Sequence, residues 1–180
     1  MNLANKLTML RVALIPVFVV CMIIEFPYHM AISLAVFAVA SITDQLDGYI
    51  ARKHNLITDF GKFMDPLADK LLTSAAFILL AEAGIMPGWI VFTIMAREFA
   101  VTGLRGIGAN QDVVIAASNY GKAKTVVQMV TIIVLLLGNW PFSLMNIPMG
   151  TILIYLTLII TVLSGVDYFW KNRKLLTANM

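Results

Sequence analysis

The chain has 180 residues, of which 60% are hydrophobic and only 13% are charged. Soluble domains carry about 25% charged residues, so this composition excludes an ordinary soluble protein and indicates an integral membrane protein. The formal net charge is +3, and no nucleic-acid partner is expected. The single cysteine excludes a disulfide within the chain. A spanning helix needs about 20 residues, so the length allows six spans in one all-α membrane domain over residues 1–180.

The N-terminal residues 1–11 alternate apolar and polar groups at helical spacing. This pattern predicts a short amphipathic helix in the membrane interface, with Lys6 and Arg11 directed toward lipid headgroups. The first span is predicted at residues 12–25 and is interrupted by Pro16.

The second span is predicted at about residues 30–50 and carries two aspartates near its far end. Asp44 and Asp47 are three residues apart, so they share one face of a helix, and Ala51 follows one turn further along. Arg52 comes next, before a short loop.

The third helix is predicted to start at Thr58 and Asp59, either of which can cap its first turn, and to continue to about Ala83. Within it, three residues spaced by four stack on one helical face: Gly61, Asp65 and Asp69.

The four aspartates need compensation if they lie at membrane depth. Each would cost about 3 kcal/mol, or roughly 10 kcal/mol together. Helix caps and salt bridges to Arg52, Lys62 or Lys70 are the alternative, but bound cations would offset the charge more directly. Carboxylate oxygens suit magnesium, manganese or calcium, so a metal site is the favoured interpretation.

The remaining spans are predicted at about residues 89–107, 120–137 and 149–169, with a polar loop over residues 108–119. Arg97 lies near the middle of the fourth span and needs a partner there, because the adjacent Glu98 is expected to point elsewhere on the helix.

The distribution of basic residues predicts the orientation. All 13 Lys and Arg fall in segments that are cytoplasmic, or in the inner part of a helix, if the N-terminus is cytoplasmic. The outer loops after the first and third spans hold acidic residues and a histidine but no Lys or Arg. This positive-inside pattern places both termini and the aspartates on the cytoplasmic side.

Metal-binding carboxylates in a basic setting indicate phosphate chemistry. Two divalent ions can bind a diphosphate and stabilise its leaving group. Gly48 and Ala51 leave room for a ligand near the backbone, and the Arg52 guanidinium could bind a phosphate oxygen. Four further cations suggest a second anion site, although the lysines could equally serve as topology charges: Arg97, Arg105, Lys122 and Lys124.

The pattern D-x2-D-G-x2-A-R-x8-G-x3-D-x3-D, from Asp44 to Asp69, resembles the complete signature of the CDP-alcohol phosphotransferase family. All eight signature positions are filled. Three further segments resemble the subgroup that uses glycerol 3-phosphate, and they extend the similarity over most of the chain: NKLTMLR from Asn5, AREFAVTGLRG from Ala96 and NYGKAKT from Asn119.

The resemblance implies a phosphatidyltransferase of the bacterial plasma membrane, which binds CDP-diacylglycerol and glycerol 3-phosphate and forms a homodimer among membrane lipids. Its aspartates would hold two divalent ions, Mg²⁺ or Mn²⁺, with Asp69 as general base. The implied nucleotide site comprises Asn5, Thr8, Gly48, Ala51, Arg52 and Gly61. The four cations of the second anion site would bind the acceptor phosphate.

Other functions stay open at this point. A member of the same family could use another acceptor, as cardiolipin, phosphatidylserine or phosphoinositol-type synthases do. A membrane prenyltransferase also uses aspartates on a diphosphate, but it predicts more spans and no D-G-x2-A-R pattern. A carboxylate-site cation transporter would place its ligands near the midplane, often in repeated halves.

Overall fold

A computed structural model describes residues 3–53, 58–111 and 118–173, and every regular element in these ranges is helical. The helices are α1 (Leu3–Ile23), α2 (His29–Lys53), α3 (Asp59–Glu82), α4 (Gly88–Asn110), α5 (Asn119–Leu136) and α6 (Met149–Lys171). A short 3-10 helix, Phe142–Met145, lies in the loop between α5 and α6. The prediction of an all-helical chain is confirmed for this part of the sequence.

The contacts divide the chain into two compact units, Met1–Ala83 and Gly84–Met180. In the first unit, α1 packs against both α2 and α3. In the second unit, α6 packs against both α4 and α5. The single domain over residues 1–180 stays a prediction.

Helix α1 differs from the prediction of an interfacial segment followed by a separate span. It runs without a break from Leu3 to Ile23 and continues through Pro16. Arg11 is fully buried, so it does not face lipid headgroups as predicted. The alternation of polar and apolar residues suggested a surface in contact with lipid headgroups. In the structure, the polar side chains of Thr8 and Arg11 instead contact α3 and α2. Phe18 of α1 packs against Phe37 of α2, with ring centroids 5.9 Å apart.

Helix α3 begins as predicted. The Thr58 hydroxyl accepts a hydrogen bond from the backbone N–H of Gly61 at 3.1 Å, which makes Thr58 the N-cap. Helix α2 extends to Lys53, three residues beyond its predicted end. Residues 54–57 of the predicted loop lie outside the described part of the chain.

Helix α4 extends three residues beyond its predicted end, to Asn110, so the predicted loop over 108–119 starts later. Residues 112–117 of that loop are outside the described ranges. Ser118 caps α5, because its hydroxyl accepts from the N–H of Gly121 at 3.2 Å.

Helices α5 and α6 form an antiparallel pair whose contacts are partly polar. The hydroxyl oxygens of Thr131 and Thr157, both buried, are 2.7 Å apart. At the connecting loop, the Asn139 side chain donates to the carbonyl of Ile147 at 2.8 Å and accepts from the N–H of Gly150 at 2.9 Å. These bonds close the turn between the two helices.

Two described helices are long and apolar enough to cross a membrane, at Asn5–Ile23 and Met149–Lys171. Large apolar side chains such as Phe92 and Phe99 are more than two-thirds exposed, as expected for surfaces that face lipid rather than water. These observations agree with the prediction of a membrane protein. The six spans and their orientation stay predictions.

Candidate active site

The first unit brings three of the predicted site residues onto neighbouring helices. Asp44 lies on α2, and Asp65 and Asp69 lie one turn apart on α3. Asp44 and Asp65 are close enough for their charges to interact. This interaction agrees with the prediction that two helix faces present carboxylates to each other, which stays a prediction.

Asp44 forms an ion pair with an arginine of α1. Nη1 of Arg11 lies 2.6 Å from Oδ1 of Asp44, and the arginine is fully buried. The sequence analysis missed this partner, although a signal was present: an arginine in an otherwise apolar helix needs an acidic group within reach.

Helix α1 also contacts the carboxylate of Asp65. The buried Thr8 hydroxyl donates a hydrogen bond to Oδ1 of Asp65 at 2.7 Å. One turn earlier, Oδ1 of Asn5 accepts a hydrogen bond from the Thr58 hydroxyl at 2.9 Å. Asn5 and Thr8 were predicted to belong to the nucleotide site, and the structure places both beside the first turns of α3.

Gly61 keeps this region open. A Cβ atom at this position would lie 3.3 Å from Oγ1 of Thr58, 3.5 Å from Oδ2 of Asp65 and 3.7 Å from Oδ1 of Asn5. The absence of a side chain thus leaves space directly in front of a carboxylate oxygen. Since α3 is a regular helix here, the glycine is explained by this close approach and not by an unusual backbone conformation.

The residues present fit a divalent cation. Carboxylate oxygens of like charge on adjacent helices, beside the space at Gly61, are the donors that hard cations require. Within the described residues, no three acidic, histidine or cysteine side chains form a ready metal-binding group. The side chain of Asp47, the fourth predicted ligand, lies outside that description, as do those of Gly48, Ala51 and Arg52.

The second unit brings together two of the four predicted anion-binding cations. Nη1 of Arg97 lies 3.2 Å from Oε1 of Glu98, and the same carboxylate oxygen pairs with Nζ of Lys124. The expectation that Glu98 points away from Arg97 was wrong, because the long arginine side chain can bend back to its neighbour. Glu98 was therefore missed as the residue that joins the two cations.

The other two predicted cations, Arg105 and Lys122, have no described contact with the carboxylate of Glu98. Nε of Arg105 donates to the hydroxyl of Tyr168 at 2.8 Å, and its guanidinium lies 5.5 Å from the centre of that ring. Tyr168 belongs to α6 and was not predicted as a partner. Lys122 is exposed near the start of α5. The described contacts thus join Arg97 to Lys124 but not to Arg105 or Lys122.

Comparison with known proteins covers almost the whole chain. Residues 1–163 match the family model described as CDP-alcohol phosphatidyltransferase. The chain is 45% identical to the CDP-diacylglycerol–glycerol-3-phosphate 3-phosphatidyltransferase of Bacillus subtilis (strain 168), over 97% of both chains. It is 39% identical to the protein of the same name from Rickettsia bellii (strain RML369-C), over 96% of both chains.

A third relative has a related name. The chain is 40% identical to a probable phosphatidylglycerophosphate synthase of Mycobacterium tuberculosis (strain H37Rv), over 93% of this chain and 79% of the relative. The family model spans both compact units and includes every predicted site residue. These matches show that the chain belongs to the CDP-alcohol phosphatidyltransferase family.

Proposed function

We propose that this chain transfers the phosphatidyl group of CDP-diacylglycerol to glycerol 3-phosphate, forming phosphatidylglycerophosphate and CMP in phospholipid biosynthesis. The observation that carries the proposal is the near full-length similarity to relatives whose names specify these two substrates. The complete eight-residue signature and the paired carboxylates of Asp44 and Asp65 supply the matching chemistry.

The carboxylates of the signature would hold the metal. Asp44, Asp47, Asp65 and Asp69 are the proposed ligands of two Mg²⁺ or Mn²⁺ ions. When bound, such ions neutralise the charge of a diphosphate and of the departing phosphate. The support within the structure is the interaction of Asp44 with Asp65 and the close approach of Gly61 to the carboxylate of Asp65.

The nucleotide would bind beside the same helices. Asn5 and Thr8 fix the first turns of α3 through Thr58 and Asp65, so they would orient the carboxylates and line the site for the CDP group. Gly48, Ala51 and Gly61 would give the nucleotide access to the backbone, and Arg52 would bind a phosphate oxygen.

Asp69 would act as general base in the transfer. It removes the proton from a glycerol hydroxyl, whose oxygen forms a new bond to the phosphorus that carries diacylglycerol. The bond between this phosphorus and the bridging oxygen breaks, and CMP leaves with the electron pair. The carboxylate of Asp69 retains the proton until it passes to solvent.

The acceptor phosphate would bind the cations of the second unit. Arg97 and Lys124 are the stronger candidates, since they already share the carboxylate of Glu98. Arg105 and Lys122 would add positive charge on the same two helices, α4 and α5. Inositol, serine and choline carry no phosphate, so such cations favour a phosphorylated acceptor.

The proposed setting is the plasma membrane of a bacterium. The chain would cross it six times, with both termini and the active site on the cytoplasmic side, as a homodimer. The basic-residue distribution supports this orientation, and two helices satisfy the length and composition of a span.

The test is CMP release by the purified protein in detergent, with CDP-diacylglycerol, a divalent metal and glycerol 3-phosphate. A chelator and Asp69→Asn should each abolish release. Inositol, serine and phosphatidylglycerol are the competing acceptors, and release with one of these alone would favour another member of the family. If folded protein released no CMP with any acceptor but conducted cations, the transporter would replace the proposal.

A further inference from the structure

Four buried polar atoms of the second unit have no hydrogen-bond partner among the described residues: Nε of Arg97, Nε2 of Gln128, Oγ1 of Thr161 and Oδ2 of Asp167. The carboxylate of Asp167 pairs with Lys171 through its other oxygen, which leaves the atoms of Arg97, Gln128 and Thr161. Gln128 is only 4% exposed, and Thr161 is fully buried. Buried polar groups are almost always paired, so these three atoms are candidates to bind a ligand.

The helix register places Gln128 and Thr161 in one layer. Thr131 of α5 meets Thr157 of α6, and the two helices are antiparallel. Gln128 is about one turn before Thr131, and Thr161 is one turn after Thr157, so both steps lead to the same level. Both side chains also belong to the buried stripes of their helices.

The same layer adjoins the proposed phosphate site. Lys124 lies one turn before Gln128 on α5 and pairs with Glu98. Arg97 reaches α6 at Gly165, where a Cβ atom would lie 3.2 Å from its Cγ, and Gly165 is one turn beyond Thr161. The two cations, Arg97 and Lys124, are therefore separated from the neutral side chains of the layer by about one helical turn, or roughly 5 Å. This separation suits a ligand with a phosphate at one end of a three-carbon chain.

The chemistry of the orphaned groups favours a hydroxyl. The amide nitrogen of Gln128 can only donate, whereas the Thr161 hydroxyl can both donate and accept. A single ligand hydroxyl can accept from Gln128 and donate to Thr161, which satisfies both. A phosphate could also accept from both groups, but in the proposed function the phosphate of the acceptor already binds Arg97 and Lys124.

We infer that Gln128 and Thr161 bind the C2 hydroxyl of the acceptor, the hydroxyl of glycerol 3-phosphate that does not react. This inference rests on the proposed function and adds two neutral specificity-determining residues to it. A site built to bind a substrate hydroxyl discriminates strongly against an analogue that lacks it, because its own polar groups are then left unpaired.

The test compares glycerol 3-phosphate with 3-hydroxypropyl phosphate, which lacks only the C2 hydroxyl. We expect the wild-type kcat/KM for CMP release to favour glycerol 3-phosphate by roughly 100-fold, and Gln128→Met and Thr161→Val each to reduce this preference by about tenfold. The KM for CDP-diacylglycerol should not change. Both variants should keep the wild-type Tm, since they remove groups without a described partner.

Thr157→Val is the matched control. It removes a buried hydroxyl from the same face of α6, but this hydroxyl already pairs with Thr131. The control should keep the full preference for glycerol 3-phosphate. If the two test variants also keep it, or if the wild type shows no preference, the groups hold only water and the inference is wrong. If the wild type does not use glycerol 3-phosphate at all, the proposed function itself fails.

Discussion

Arg11 and Asp44 form an ion pair of unequal exposure: the arginine side chain is fully buried, while that of the aspartate is 39% exposed. The open side of the carboxylate remains accessible to a ligand, while the buried guanidinium balances its charge from α1. Arg11 thereby links the N-terminal helix to a proposed metal ligand.

Replacing Arg11 with methionine should destabilise the protein. Breaking a buried pair leaves an uncompensated charge, and we expect a loss of about 2 kcal/mol, less than for a fully buried pair because Asp44 is partly exposed. Thermal unfolding in detergent measures this loss. Lys6→Met, an exposed cation of the same helix, should have little effect, and equal Tm values for the two variants would contradict the role of the pair.

Thr8→Val should reduce catalysis by about tenfold, because the carboxylate of Asp65 loses a hydrogen bond that helps to orient it. The measurement is kcat/KM for CMP release at saturating metal. Thr93→Val is the control, since among the described residues the Thr93 hydroxyl bonds to the carbonyl of Trp89 in its own helix. A Thr8 variant with wild-type activity would show that the bond has no catalytic role.

Gly61→Ala should separate stability from activity. Alanine favours a helix over glycine by about 1 kcal/mol, which offsets the tight contact with Thr58, so the Tm should change little. Activity should fall roughly tenfold or more, because the methyl group fills the space in front of Asp65. Gly103→Ala in α4 meets no atom within 4 Å and should keep full activity, and equal activities of the two variants would count against the close approach.

Glu98→Gln should destabilise the second unit by about 3 kcal/mol, since Arg97 and Lys124 lose the carboxylate between them. Glycerol 3-phosphate should restore more stability to this variant than to the wild type, because its phosphate replaces the missing negative charge. Thermal unfolding with and without the ligand measures both effects. Glu82→Gln, an exposed acid at the end of α3, is the control, and an unchanged Tm for Glu98→Gln would disprove the shared ion pair.

Patterns local in sequence predicted most of the helices. Thr58 marks the start of α3 because a cap acts on the next three residues, and the spacing of Asp65 and Asp69 defines a helix face by itself. Contacts between distant residues could not be predicted in this way. Arg11 contacts a residue 33 positions away, and its position alone suggested an interfacial helix.

The second unit shows the same limit. Lys124 and Glu98 are 26 residues apart, and the charge pattern identified the lysine as a cation without indicating its partner. Gln128 and Thr161 give no signal in a single sequence, since buried polar residues of apolar helices usually pair with one another. Only the register of α5 against α6 shows that they lie in one layer.

The loop that Asn139 closes has a consequence for membrane insertion. The segment from Leu137 to Pro148 carries no charged residue, and Asn139 satisfies a carbonyl and an N–H that would otherwise require water. The two bonds therefore lower the cost of moving the tip of the α5–α6 pair through the hydrocarbon layer. If α5 spans the membrane as predicted, these two helices are suited to enter the bilayer together, as a hairpin that is already folded.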